Sequence, residues 1–287
     1  MSMYQVAGAL CMFLAGLAWG QSYPTKPIRI VTSGAGGGND FNSRVIAQGI
    51  SGPLGQQVIV DNRATAFASA EFVAKAPPDG YTLLYNGSSV WLLPFLRDNV
   101  PYDPVKDFAP ITLAVSLPNL VVVAPSMPVN SIKELIALAK AKPGSLSFAT
   151  GTAATASYFA GAQFKIVTGV DMEHILYKAG SAQIGDLVSG RVPLGFIPAA
   201  TVATLVKSGK LKALAVTSSR PSALVPDVPT VAASGLPGYE SVATQGMFAP
   251  ARTPPAIIGL LNSQIVRVLN QPETRERLLN QGVEAIG

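Results

Sequence analysis

A glycine-rich run holds the residue types in this chain that are best suited to binding chemistry. Residues 33–40 read SGAGGGND, between a strand-like segment at 28–32 and a segment with helical spacing of apolar residues. A turn from a strand into a helix leaves backbone N–H groups without partners beyond the end of the strand. These N–H groups and the helix dipole can bind an anion without a basic side chain. The pattern therefore predicts an anion site at Ser33, Gly37, Gly38 and Asn39.

The identity of the anion follows from what the run lacks. A P-loop closes with Lys followed by Ser or Thr, whereas this run closes with Asn39 and Asp40. A dinucleotide fingerprint needs a third glycine where Asn39 stands, and Asp40 would place a negative charge beside a pyrophosphate. These absences favour a smaller anion, such as a carboxylate. The alternative is a tight connection that uses glycine only for its positive φ.

Two other small polar loops offer donors of the same kind. They read GSS at 87–89 and TGTAATAS at 150–157. Hydroxyl groups and the N–H groups at helix starts suit binding better than bond-breaking chemistry. The candidate binding residues in these loops are Ser88, Ser89, Thr150, Gly151, Thr152 and Ala154.

Residues for catalysis or metal binding are scarce. His174 is the only histidine, and its strand-like surroundings favour a structural role. A Ser-His-Asp triad would have to use it, and the sequence has no Gly-x-Ser-x-Gly motif. Asp40 and Asp61 could form an acid–base pair, but each is better explained by its own loop. We therefore expect no enzymatic activity, no metal and no cofactor.

The composition indicates a well-buried globular protein. Hydrophobic residues make up 48% of the chain and charged residues 13%, which excludes a disordered chain. The net charge of +5 comes from 21 basic and 16 acidic residues, and the basic residues are scattered rather than clustered. We therefore expect no nucleic-acid partner.

The first twenty residues predict a secretory signal. They contain no charged residue, and the apolar stretch at 6–19 is too short to span a bilayer. Small residues at Ala18 and Gly20 suit a signal peptidase, although the usual basic residue before the apolar stretch is missing, and a retained anchor is the alternative. The only cysteine, Cys11, would leave with the signal, which fits an oxidising compartment. We expect export with cleavage near Gly20.

The elements that must position these loops alternate between strands and helices. Strands are predicted at 28–32, 57–60, 82–85, 146–149, 174–176, 192–197 and 212–217. Helices are predicted at 40–51, 68–76, 131–142, 156–167, 182–189 and 201–208, with a capping box at Ser131 and Glu134. Such alternation is typical of an α/β fold with mostly parallel sheets.

Two stretches interrupt this alternation. Prolines punctuate residues 101–123, and residues 221–250 are rich in loop-forming residues before two C-terminal helices at 255–269 and 272–280. Two crossings between two lobes explain both stretches. The predicted first lobe is 21–123 plus 246–287, the predicted second lobe is 124–245, and a ligand cleft lies between them.

Several longer segments carry a family likeness. They are YPTKPIRIV at 23–31, GGND at 37–40, DNR at 61–63, APPDGYTLL at 76–84, PYDPVKDFAP at 101–110, HILYK at 174–178, GKLKALAVT at 209–217 and PDVPT at 226–230. In this order and at these spacings, the chain from Tyr23 to Gly287 resembles the periplasmic substrate-binding proteins of the tripartite tricarboxylate transporter system, the Bug receptors.

The resemblance implies a two-lobed Venus-flytrap fold of the type II periplasmic-binding-protein kind, with mostly parallel sheets and flanking helices. It implies that backbone N–H groups and hydroxyls after the strands hold the carboxylate of a small acid. It further implies a monomer that delivers this acid to membrane transporter subunits. A ligand sensor that serves a signalling partner is the alternative, and a hydrolase or transferase on the same fold would need a nucleophile–base pair.

The chain departs from the family pattern at the expected cleft. The family's glycine-rich loop after DNR is replaced by a segment containing Ala66 and Phe67. Tyr158 stands where the family has histidine, and Ile197 stands where the family has aspartate. These four residues join the candidate site. Phe67, Tyr158 and Ile197 predict a ligand with an apolar or aromatic body, with neutral drift in the pocket as the alternative. Relatives also continue past the position of Gly287 into another helical segment.

Overall fold

The computed structural model describes residues 23–95, 97–152 and 155–287. The expected signal at residues 1–20, with Cys11, lies outside the described residues, and so does Ala154. The strands are β1 Ile28–Ser33, β2 Val58–Arg63, β3 Thr82–Gly87, β4 Phe108–Val123, β5 Ser147–Thr150, β6 Glu173–Leu176, β7 Leu194–Pro198, β8 Lys212–Val216, β9 Val242–Pro250 and β10 Glu284–Ala285. The helices are α1 Gly38–Leu54, α2 Ala66–Ala74, α3 Ser89–Leu92, α4 Ile132–Ala141, α5 Ala156–Thr168, α6 Gly180–Val188, α7 Ala199–Lys207, α8 Pro255–Leu269 and α9 Pro272–Leu279.

The strands form two sheets that share β4. In the first sheet the order is β2-β1-β3-β9-β4, with β10 on the other edge of β4. In the second sheet the end of β4 pairs with β7 and β8, and β5 joins β7 to β6. The pairs β1–β2, β1–β3, β5–β6 and β5–β7 are parallel. The predicted α/β class with flanking helices is confirmed, and the antiparallel pairs made by β4, β8, β9 and β10 are an addition to it.

Strand β4 passes from one sheet to the other. Its residues up to Pro118 pair with β9, and its residues from Asn119 onward pair with β7. The sequence predicted an interruption of the strand–helix series at 101–123 and no strand there, whereas β4 fills most of that stretch. The strand tolerates Pro110 because the register shifts between Pro110 and Thr112, and it tolerates Pro118 because that residue lies where the strand changes sheets.

Strand β9 is a second correction to the sequence prediction. It lies inside the stretch 221–250, which the sequence predicted to be rich in loops. Its residues pair with both β3 and β4, so the partners on either side stabilise a segment whose own pattern is weak. The division of the chain at 123/124 and 245/246 stays a prediction, and the sheet pairing itself changes after Pro118.

Each sheet has its own hydrophobic core, and we call each sheet with its helices a lobe. In the first lobe, Ile30, Ile46 and Leu83 are fully buried between the sheet, α1 and α8. In the second lobe, Phe148 and Phe196 of the sheet are fully buried against Phe164 of α5. The predicted capping box holds in part: Ser131 Oγ accepts the N–H of Glu134 at 3.2 Å, whereas the Glu134 carboxylate accepts the N–H of Asn130 at 2.7 Å.

The strand directions bring the carboxyl ends of the parallel strands of both sheets to the same side of the crossing. β3 is antiparallel to β9, and β9 is antiparallel to β4, so β1, β3 and β4 run in one direction. The carboxyl ends of β1 and β3 lie toward Pro118, where β4 leaves the first sheet. β7 is antiparallel to β4 and ends with Pro198 opposite Asn119. The loops after β1, β2 and β3 therefore face the loops after β5, β6 and β7 across the crossing, and we call the space between them the cleft.

The core of the second lobe allows a stability test at Gly161. A Cβ at this position would lie 2.3 Å from the ring of Phe148, which is stacked on His174 and cannot easily move. We expect Gly161→Ala to lower the free energy of unfolding by about 1–3 kcal/mol, because a packed core resists added volume. The measurement is chemical denaturation followed by circular dichroism.

Gly185 in α6 provides the matched control, because nothing lies within 4 Å of a Cβ built there. Gly185→Ala should leave the protein as stable as before or stabilise it by up to about 1 kcal/mol. Equal stability of both variants would contradict the packing described around Phe148.

Candidate functional site

The loop between β1 and α1 presents unpaired donors at a helix start. Gly37 is the N-cap of α1, and Gly36 has a φ of +78°, which a residue with a side chain rarely adopts. The N–H groups of Gly37, Gly38 and Asn39 have no acceptor among the described residues. Gly37 and Gly38 are exposed. Three N–H donors and the positive end of a 17-residue helix therefore meet at the cleft.

Asp40 is used inside its own loop rather than toward the cleft. Its carboxylate accepts the N–H of Gly36 at 2.9 Å, the amide of Asn62 at 2.9 Å and Nε of Arg44 at 2.8 Å. Burial alone would raise the pKa of Asp40, but these hydrogen bonds and the charge of Arg44 outweigh it and hold the pKa below its ordinary value. The negative charge of Asp40 is thus compensated within the protein. The hydrogen bonds of its carboxylate also fix the shape of the loop.

Asp61 forms ion pairs close to its own strand, and it lies within β2 rather than in the loop that the sequence indicated. Its carboxylate accepts Nη2 of Arg63 at 2.9 Å and lies 3.6 Å from Arg29. Asp40 and Asp61 therefore have separate cationic partners.

Asn86 is a residue of the site that sequence reasoning missed. Its side chain is fully buried at the end of β3. The Oδ1 atom accepts the N–H of Gly87 at 2.9 Å and the amide of Asn39 at 3.1 Å, and Nδ2 donates to Ser69 Oγ at 2.9 Å. Asn86 therefore ties together the three loops of the first lobe. An amide directly after the apolar strand residues 83–85 is the signal that could have revealed it.

The other candidates in the first lobe have different surroundings. Ser33 Oγ accepts the amide of Asn39 at 2.9 Å, so it also supports the glycine loop. Ser88 bonds to Thr244 through its N–H at 3.1 Å, which anchors the end of β3 on β9, and Ser89 is exposed at the start of α3. Ala66 and Phe67 are half-buried as the first two residues of α2, where the Phe67 ring lies 6.2 Å from that of Tyr102.

In the second lobe, the loop after β5 has already used most of its predicted donors. Thr150 is fully buried, and its hydroxyl contacts Gly151 O at 3.0 Å and His174 Nε2 at 2.6 Å. The N–H of Gly151 donates to Ser157 Oγ at 3.2 Å. Thr152 is exposed. The structure thus brings these residues to the cleft end of β5, with Thr152 as the most accessible of them.

His174 is held between two aromatic rings. The ring of Phe148 stacks on one side at 4.3 Å and the ring of Tyr158 at 4.9 Å. Burial lowers the pKa of His174, and the charge of Lys165 lowers it further, so the imidazole is neutral at neutral pH. These contacts agree with the structural role indicated by the sequence, and they place the half-buried Tyr158 on the first turn of α5.

Ile197 does not line the cleft surface. Its side chain is 1% exposed and packs with Leu120, Leu187 and Val202 in the core of the second lobe. The expectation that it contributes to the cleft wall is therefore wrong for this conformation. The physical reason is strand alternation, which points Ile197 to the sheet face covered by α6 and α7.

Other features of the described residues limit the chemistry. A cavity of about 810 Å³ is lined by Arg220, Arg275 and Glu284 and by none of the candidate residues above. Within the described ranges, no three His, Cys, Asp or Glu side chains come together as a metal site. The helices of that part of the chain include none that is long and apolar enough to cross a membrane.

The Asn86 network predicts energetic coupling between loops. Asn86→Ala leaves buried partners unsatisfied, so we expect the free energy of unfolding to fall by about 1–3 kcal/mol. Ser69→Ala should lower the free energy of unfolding by less than Asn86→Ala does. The double variant should show a coupling energy of about 0.5 kcal/mol or more. Denaturant unfolding of the four proteins checks this, and simple additivity would show that the Asn86–Ser69 contact carries no energy.

The lowered pKa of Asp40 predicts a pH dependence of stability. A carboxyl whose pKa is lower in the folded than in the unfolded state stabilises the protein above its unfolded pKa, near 3.8, and loses this effect as the pH falls through the folded pKa. Asp40→Asn should therefore cost about 1–3 kcal/mol at neutral pH and progressively less below 3.8.

The free energy of unfolding of the wild type and of Asp40→Asn, measured from neutral pH to below pH 3.8, tests this prediction. Glu71→Gln, which removes a surface pair with Lys75, is the control and should change stability by less than about 1 kcal/mol. A penalty for Asp40→Asn that stays constant at all pH values would be inconsistent with a charged, hydrogen-bonded Asp40.

Comparisons with solved structures agree with this architecture. A TctC solute-binding protein from Polaromonas, solved without ligand, aligns with a TM-score of 0.85 at 25% identity, covering 92% of this chain and 91% of that one. A protein from R. palustris with adipate aligns with a TM-score of 0.67 at 30% identity, covering 92% and 90%. MatC from Rhodopseudomonas palustris with bound malate aligns with a TM-score of 0.63 at 28% identity, covering 91% and 90%.

Sequence comparisons lead to the same group of proteins. A protein encoded in the tcbD-tcbE intergenic region of Pseudomonas sp. strain P51 is 35% identical over 270 residues, covering 93% of this chain and 80% of its own. Protein BugT of Bordetella pertussis is 33% identical over 296 residues, covering 100% and 91%. The model of the tripartite tricarboxylate transporter family receptors matches residues 42–287. The chain belongs to this receptor family, as the resemblance in its motifs indicated.

Proposed function

We propose that this protein captures a small organic carboxylate in the periplasm, between its two lobes, and delivers it to a tripartite tricarboxylate-type membrane transporter. The observation that carries the proposal is the group of three N–H donors at Gly37, Gly38 and Asn39, which have no acceptor among the described residues. A carboxylate accepts several short, charge-assisted hydrogen bonds from such groups. The family, and relatives of known structure with adipate and malate, support the same class of ligand.

The proposed carboxylate-binding site uses residues of both lobes. Gly37, Gly38 and Asn39 hold the carboxylate from the first lobe, and Thr152 with the start of α5 closes on it from the second. A buried carboxylate must have its acceptor sites satisfied to avoid a large desolvation cost, which favours donors from both sides. The protein acts as a monomer in this proposal, because the two lobes of one chain complete the site.

The proposed ligand has an apolar or aromatic body. Phe67 and Tyr158 are half-buried in the first turns of α2 and α5, at the cleft ends of these helices, where they present aromatic surface. Burial of an apolar group against such walls is favourable by about 25 cal/mol per Å². The exported form is proposed to begin near Gln21, after cleavage of the signal.

Substitution of Gly38 tests whether the N–H groups of this loop bind the carboxylate. Gly38 is the first residue of α1, where proline is well tolerated, and Gly37 before it has the extended φ and ψ of −87° and 172° that proline favours in its neighbour. Gly38→Pro therefore removes one N–H donor and leaves the helix intact. We expect it to weaken binding by about 10- to 100-fold, since a hydrogen bond to a charged group contributes about 1.5–3 kcal/mol.

Gly38→Ala is the matched control, because it keeps the N–H and nothing lies within 4 Å of its Cβ. Native mass spectrometry of the freshly purified protein identifies a co-purified acid, and calorimetry with that acid compares the two variants. Unchanged affinity in Gly38→Pro would reject the assignment of this loop.

A thermal-shift panel tests the predicted character of the ligand. We expect aromatic or longer aliphatic acids to raise the melting temperature more than citrate does, because their apolar groups can be buried against Phe67 and Tyr158. Stabilisation by citrate alone would contradict this. Co-purification of a transporter subunit or of a sensor kinase with the tagged protein distinguishes uptake from signalling.

A further inference from the structure

The imidazole of His174 is held on both faces and at one edge. His174 lies in β6 opposite Phe148 of β5, and the rings of Phe148 and Tyr158 stack on its two faces at 4.3 and 4.9 Å. Its Nε2 atom lies 2.6 Å from the hydroxyl oxygen of Thr150. In a packed interior, a ring with neighbours on both faces cannot tilt without displacing them. The imidazole therefore presents Nε2 to Thr150 in one orientation.

The hydrogen of the Thr150 hydroxyl decides which atom donates in this contact. Thr150 Oγ1 also lies 3.0 Å from Gly151 O, which can only accept a hydrogen bond. A hydroxyl has a single hydrogen, and this hydrogen lies toward Gly151 O. The 2.6 Å contact then requires a hydrogen on Nε2 of His174. The neutral imidazole is thus the Nε2–H tautomer, and its Nδ1 atom carries no hydrogen.

These two hydrogen bonds fix the peptide unit between Gly151 and Thr152. The unit is trans, so its carbonyl and its N–H point in opposite directions. The carbonyl points to the hydroxyl of the buried Thr150, and the N–H of Thr152 therefore points away from it. The carbonyl of Thr152 itself accepts the hydroxyl of Thr155 at 2.8 Å. Both peptide units of the exposed Thr152 are thus held, while its N–H has no acceptor among the described residues.

We propose that His174 is a positioning residue of the carboxylate site, which acts through Thr150 and Gly151 to orient the N–H of Thr152 toward the ligand. This proposal rests on the proposed function, in which Thr152 closes on the carboxylate from the second lobe. The position of the carbonyl matters because a glycine backbone turns easily when nothing holds it. His174 itself does not contact the ligand. It lowers the ordering cost of binding, since a donor that is already oriented loses little freedom.

The single histidine of the chain allows a direct test of the hydrogen position. Protein with nitrogen-labelled histidine gives one pair of imidazole signals in nuclear magnetic resonance, and these signals distinguish Nε2–H from Nδ1–H. We expect the Nε2–H tautomer. The Nδ1–H tautomer would overturn the proposal, because Nε2 could then only accept the Thr150 hydroxyl, and the carbonyl of Gly151 would be released.

Calorimetry tests the effect on binding. Hexanoate, adipate, citrate and benzoate are compared on the wild-type protein, and the acid that binds most tightly is the probe for the variants. His174→Phe keeps a ring between Phe148 and Tyr158 but removes the donor, so we expect about tenfold weaker binding. His174→Gln loses the ring but places an amide N–H near the position of Nε2, so its affinity should stay within about threefold of the wild type.

Variants of Thr150 test the next step of the chain of hydrogen bonds. Thr150→Val keeps the shape of the side chain without its hydroxyl and should weaken binding as much as His174→Phe does. The double variant should be no weaker than either single variant, because both act through Gly151. Thr168→Val is the matched control, since it removes a buried hydroxyl that donates to Phe164 O at the other end of α5, and its affinity should be unchanged. Circular dichroism establishes that the variants fold.

The outcomes separate the positioning role from the proposed function. Unchanged affinity in His174→Phe and Thr150→Val overturns the positioning role and leaves the proposed function in place. Full affinity in His174→Phe with weak binding by His174→Gln assigns the ring to packing alone and also overturns the role. If none of the four acids binds the wild type, the proposed function fails, and the positioning role fails with it. The imidazole signals of the wild type test the hydrogen position even where a variant does not fold.

Discussion

The pairing of β4 with two sheets is the constraint on which the rest of the structure depends. Because one strand belongs to both sheets, the strand directions in one lobe fix those in the other relative to the crossing at Pro118 and Asn119. The N–H of Thr217 donates to Asn119 O at 2.9 Å, and the N–H of Ser241 donates to Thr217 O at 2.9 Å, so the neighbouring segments are bound to the same point. The helix starts of both lobes face one cleft as a consequence.

A helix start can bind an anion only if its donors remain unpaired and fixed. In the first lobe, side chains beneath the loop provide this. Asp40 holds the N–H of Gly36, and Asn86 holds the side chain of Asn39, whereas the N–H groups at Gly37 and Gly38 are left open. Arg44 compensates the charge of Asp40 at 2.8 Å, so the loop does not repel a carboxylate. The buried polar network thus lowers the ordering cost of binding before the ligand arrives.

The sequence predicted most of the elements that position this site, and its failures have physical causes. The parallel strands and their helices carry strong local patterns, so segments such as 28–32 and 131–142 were recognised. β9 was missed because its stability comes from β3 and β4 on either side rather than from its own residues. Ile197 was misplaced because burial at a strand end depends on which face packs against α6 and α7. Asn86 was missed because its role requires three loops to meet in space.

The two lobes differ in how ready their donors are, and this difference bears on how closure binds a ligand. In the first lobe the N–H groups are open, whereas in the second the hydroxyl of Thr150 contacts His174 and the N–H of Gly151 is bound to Ser157. In the proposed function, a ligand that enters the cleft therefore meets open donors in the first lobe. In the same proposal, the second lobe contributes either after these internal bonds rearrange or through donors that are already open. Because breaking a satisfied hydrogen bond costs free energy and engaging an open donor does not, we expect closure on a ligand to use the open donors of the second lobe before the bound ones.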